Sequence, residues 1–172
     1  MSLRPHDEFP QTGRLAAIDL GTVRTGVAIC DPDWILASPH EVHPTGTPEA
    51  DAAYYQRLAG EERVAGWVVG LPIHCDGGES DKSVLARQFA VWLKEATGLP
   101  VRLFDERFTT VAAVQRLAGR KSTRQQKKRR LDAVAAQVLL ESFLEACRYR
   151  SEIAGHPPEE DTAGDSLDEG GP

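Results

Sequence analysis

Three carboxylates stand where a soluble domain seldom places them. Asp19 closes the apolar run 15–18, Glu106 follows the apolar run 101–104 by two positions, and Asp132 lies at the start of an apolar helical stripe. A carboxylate beside packed sheet loses solvation and stays ionised only with a partner: a metal ion, an arginine or several backbone N–H groups. For Asp19 the competing reading is an Asx-type turn over Gly21 and Thr22. Asp132 is more telling. At about 100° per residue it points within roughly 60° of Ala135, Ala136, Leu139, Phe143, Ala146 and Cys147, with Gln137, Glu141, Glu145 and Arg148 opposite. A helix over 131–148 puts it in the first turn, where it could compensate the helix dipole, but it could do that from any face. Glu106 shares the face of Phe104 if the strand continues, at the kind of strand end outside which ligands gather in open α/β sheets. Three acids at one place repel unless a divalent cation neutralises them, and oxygen-only donors suit Mg²⁺ or Mn²⁺.

Charge is segregated along the chain. Residues 116–130 hold eight Lys or Arg and no acid, while 151–172 hold seven acids and no Lys or Arg, so residues 1–150 carry +1 against −6 for the whole. The basic block suits a polyanionic partner; the alternative is a solvated helix face or a disordered arm. Candidate contacts to a nucleic-acid backbone are Arg120, Lys121, Arg124, Lys127, Lys128, Arg129 and Arg130, with Arg24 beyond the turn that follows Asp19. A carboxylate-held metal beside such a block points to phosphodiester hydrolysis.

The elements that must position these residues follow from pattern. Strands are expected over 15–20, 25–30 and 34–42, Pro39 marking an edge strand or a break near the end of the last, and three in a row imply an antiparallel meander. Thr47 and Pro48 open a helix that Gly60 stops near Ala59, and 64–71 is a central strand. Ser80 or Asp81 starts a second helix, closed by Gly98 in the left-handed conformation; a short strand over 101–104 and a short helix over 111–118 precede the last helix. Alternation after a meander predicts an α/β fold, a mixed five-stranded sheet with helices on both faces and the first strand central. His40 and His43 are expected at the surface rather than on a metal.

The length of 172 residues fits one domain plus a tail: a flexible lead-in over 1–13, a domain over 14–150, and an acidic, disordered tail over 151–172. No apolar run approaches a membrane span and the N-terminus has no secretion signal, so a cytoplasmic protein is expected. Three scattered cysteines argue against a disulfide framework and a zinc site.

Several motifs occur together: AIDLGTVRTGVAICD at 17–31, ASP at 37–39, VVGLP at 68–72, Asp76-Gly77, TGLPVRLFDERFTT at 97–110, and a basic run leading to LDAVAAQVLLESFL at 131–144. With them the sequence resembles the YqgF (RuvX) family, pre-16S rRNA nucleases similar to Holliday junction resolvases, across nearly all of 15–143. The resemblance implies an RNase H-like fold, an acidic triad of Asp19, Glu106 and Asp132, and 5′-end maturation of the small-subunit rRNA precursor, with structured RNA and ribosomal particles as partners. The loop IHCDGGESD departs from the family's usual Asn-Met-Asp-Gly type, and no fourth carboxylate is evident. The rivals are a DNA junction resolvase on the same fold and a non-catalytic nucleic-acid-binding module in transcription or ribosome assembly. IDLGT also resembles the phosphate loop of the actin, Hsp70 and sugar-kinase group, but the chain lacks the duplication that group needs.

Overall fold

Leu15, Ala16, Ala17 and Ile18 are wholly inaccessible to solvent, and a strand buried on both faces has to run inside a sheet rather than along its edge. The computed structural model, which describes residues 8–72, 80–105 and 124–158 (with 125–130 as helix backbone), places it there. The strands β1 (Arg14–Asp19), β2 (Arg24–Cys30), β3 (Ala37–Pro44), β4 (Val64–Leu71) and β5 (Val101–Asp105) form one sheet in the order β3-β2-β1-β4-β5. The first three are the expected antiparallel meander, and β1–β4 and β4–β5 pair in parallel. β3 is an edge strand that carries Pro39.

Helices α1 (Pro48–Glu61) and α2 (Asp81–Thr97) cover one face, their Tyr55, Leu58, Ala90 and Leu93 packing on Ala16, Ile18, Trp67 and Val69. Helix α3 (Arg124–Arg150) covers the other, with Ala136, Leu139, Leu140 and Phe143 on Leu15, Ala17, Ala28 and Val68. Local signals set the helix ends. Thr47 Oγ1 accepts from Ala50 N with Pro48 in the first turn, Ser80 and Ser83 form a capping box, and Gly98 closes α2 at φ 69°.

Four expectations about the elements need correction. Gly60 lies inside α1, because Arg63, at φ 53°, makes the left-handed turn instead. The last helix begins at Arg124, not near 131, so the basic residues 124–130 form its opening turns and Asp132 sits well inside it, where a dipole-compensating role lapses. Gln137, expected opposite the apolar stripe, is half-buried and donates to Ala37 O, because α3 also covers the β2–β3 end of the sheet, whereas Arg148 is exposed as that placement implies and donates to Trp34 O. His43 is no surface residue: its ring stacks on Tyr54 at 3.7 Å and its Nε2 lies 2.8 Å from Asp51 Oδ1.

Both ends of the domain also differ. Phe9 is buried edge-on against Phe143, which docks the lead-in. Residues 151–158, expected in the tail, fold back instead on the free edge of β5. Leu103 and His156 exchange two backbone hydrogen bonds, Ala154 N donates to Cys147 Sγ, and Gly155 at φ 72° passes so close that a Cβ would lie 2.4 Å from Leu103 O. The short helix expected over 111–118 and the acidic stretch beyond 158 lie outside the described residues. Among the described residues no helix is long and apolar enough to cross a membrane.

Candidate active site

Side chains alternate along β1, so Asp19, at its end, faces the same side as Leu15 and Ala17, toward α3. Its partner across the strand pair is Gly26. A Cβ on Gly26 would fall 2.0 Å from the carbonyl oxygen of Asp132, so only glycine lets the helix backbone rest on β2 at that point. One glycine thus brings a strand-end acid and a mid-helix acid, more than a hundred residues apart, to one place.

The electrostatics register their proximity. Burial, and then the negative charge of Asp132, push the Asp19 carboxyl up from 3.8 to about 6. Arg24, at the start of β2 and on the same face as Gly26, donates from Nε to Asp132 Oδ2. No described residue hydrogen-bonds or ion-pairs with the Asp19 side chain, so the pair of carboxylates is compensated on one side only. Hard oxygen donors with surplus negative charge are the donor set that Mg²⁺ or Mn²⁺ takes. Among the described residues no third His, Cys, Asp or Glu joins them.

A sequence model of the RuvX family, described as Holliday junction resolvase, matches residues 13–146. The chain belongs to the RuvX family. It is 71% identical over 163 residues, 95% of this chain and 94% of the relative, to a protein of Rhodopirellula baltica named "Putative pre-16S rRNA nuclease". It is 40% identical to one of the same name from Nitrobacter hamburgensis, over 80% of this chain and 84% of that one. Among solved structures it is similar to T. thermophilus RuvC in complex with a Holliday junction substrate, at TM-score 0.53 and 16% identity, covering 81% of this chain and 98% of that chain. That likeness gives the fold, which is RNase H-like as the family resemblance implies.

Of the site residues expected for a family member, the fold brings Asp19 and Asp132 together. Glu106 lies outside the described residues, directly after Asp105, the last residue of β5. Because β1, β4 and β5 run parallel, that strand end opens at the same end of the sheet as Asp19. Arg120 and Lys121 also lie outside the described residues. Arg124 is exposed at the first turn of α3, and Lys127, Lys128, Arg129 and Arg130 follow in its backbone. Arg24, expected to meet a nucleic-acid backbone, donates to Asp132. Sequence reasoning passed over Gly26, although a glycine inside a strand marks a bulge or a close backbone approach.

Proposed function

We propose that this chain is a divalent-metal-dependent endonuclease that hydrolyses phosphodiester bonds, maturing the 5′ end of the small-subunit rRNA precursor. The observation that carries the reading is the meeting of Asp19 and Asp132 at the end of the central strand, in a chain 71% identical to a relative named for pre-16S rRNA cleavage.

Asp19 and Asp132, with Glu106 completing the set, would hold Mg²⁺ or Mn²⁺. A bound cation would supply positive charge at the scissile phosphate and raise the acidity of water there. The protein's own residues do the rest. Gly26 fixes the separation of the two acids by letting α3 touch the sheet. The opening turns of α3, with Arg124, Lys127, Lys128, Arg129 and Arg130, precede Asp132 on one continuous helix. A phosphodiester backbone drawn to those cations, and to Arg120 and Lys121, is led along α3 to the carboxylates. The helix therefore aligns binding with hydrolysis.

A second reading, cleavage of DNA four-way junctions, is favoured by the family's description as a Holliday junction resolvase. The discriminating experiment offers the purified protein a precursor rRNA 5′ leader and a DNA four-way junction side by side in Mg²⁺ and in Mn²⁺. Cleavage of the RNA at the mature 5′ end, with the junction intact, is expected. Cleavage of the junction alone would favour the resolvase.

A further inference from the structure

Arg24 is the one described cation at the two carboxylates, and it is attached in an unusual way. It engages Asp132 through Nε, while its Nη1 and Nη2 donate to no described acceptor. Arginine holds carboxylates most firmly through a two-point fork, and a single contact from Nε leaves the remaining N–H donors uncommitted. The pair is also accessible, with side chains 20% and 30% exposed, so water and ions reach it. Asp19, meanwhile, has no cation partner among the described residues. A guanidinium on one acid is half a neutralisation; a divalent ion between both acids would complete it.

We propose that Arg24 is a built-in counter-ion that a divalent cation displaces from Asp132, freeing its guanidinium for the phosphate that the cation holds. This rests on the nuclease reading above and adds a positioning residue to it. Two cations compete for one carboxylate, so the resident one weakens metal binding until the phosphate arrives. Once released, the guanidinium stands at the start of β2 on the α3 face, beside Gly26 and Asp132, with its fork able to meet a phosphate.

The test reads Arg24 directly in the full chain. In the ¹H–¹⁵N spectrum of wild-type protein, the Arg24 Nε–Hε resonance, assigned by its loss in Arg24→Lys, should leave its carboxylate-bonded position as Mg²⁺ is added. Calorimetry with Mn²⁺ alone should show Arg24→Gln binding roughly two- to fivefold more tightly than wild type, the size of a partly exposed ion pair. Arg24→Lys, which keeps the charge, should stay near wild type. In Ca²⁺, Arg24→Gln should lower the log–log salt slope of RNA binding by roughly 0.7 to 0.9, and in EDTA it should leave the slope unchanged. An Nε–Hε resonance unmoved at saturating Mg²⁺, or Mn²⁺ affinity unchanged or weaker in Arg24→Gln, would overturn the displacement while leaving the nuclease intact. Wild-type protein that binds no Mn²⁺ would overturn both.

Discussion

Removing the charge of Asp19 should stabilise the metal-free protein. Its carboxyl is pushed up to about 6 from 3.8, first by burial and then by Asp132. The folded state therefore holds the proton more tightly than the unfolded chain, and ionisation costs the fold. Folding stability falls as pH rises from about 4 through about 6, and the cost is fully present above that window. At 1.36 kcal/mol per pH unit the gap amounts to roughly 2–3 kcal/mol, the lower figure allowing for partial exposure. Asp19→Asn keeps the volume and abolishes the cost. Urea unfolding in EDTA should show the variant more stable than wild type by roughly 2–3 kcal/mol at pH 8 and by about 1 kcal/mol at pH 4.5. Mg²⁺ should raise the stability of wild type and leave Asp19→Asn nearly unmoved, closing the gap from the other side. Equal or lower stability of the variant at pH 8, or a gap that ignores pH, would show that ionised Asp19 does not burden the fold.

Two further outcomes follow from the packing. Gly26→Ala drives a methyl group into the Asp132 carbonyl, so α3 must lift from β2; a loss of roughly 1–3 kcal/mol by urea unfolding, together with weakened Mn²⁺ binding by calorimetry, is expected. Ending the chain after Arg150 removes the two Leu103–His156 hydrogen bonds and should cost roughly 1–3 kcal/mol relative to ending it after Pro158. If the acidic stretch after 158 competes with nucleic acid for the basic residues, the latter truncation should bind RNA more tightly than the full chain at low salt, with the difference shrinking at physiological salt.

Much of this was legible because the signals are local. β4 begins and ends where its apolar run does, at Val64 and Leu71. Asp132 betrayed itself by lying on an apolar stripe, and Asp19 by ending a run with no polar face. Gly98 and the Thr47-Pro48 pair act within a turn of themselves. What stayed hidden depends on residues distant in sequence. The Arg24–Asp132 pair and the contact of Gly26 with α3 each join segments more than a hundred positions apart, and nothing in either segment names its partner. The start of α3 was invisible because 124–130, five cations and two glutamines, is too uniformly polar to show apolar periodicity. The docking of 151–158 rests on one bridge to Leu103, the Ala154–Cys147 hydrogen bond and the burial of Ala154 and Pro158, contacts that a composition reading as a loose tail does not announce.

Asp19 and Asp132 should act together on a phosphodiester bond. The most direct measurement is single-turnover cleavage of a precursor rRNA 5′ leader by wild type, Asp19→Asn, Asp132→Asn and the double variant in Mg²⁺. Each single variant is predicted to lose roughly a hundredfold or more in rate while still binding the RNA, with the double variant hardly worse than either. Cleavage by Asp19→Asn or Asp132→Asn at the wild-type rate would contradict it.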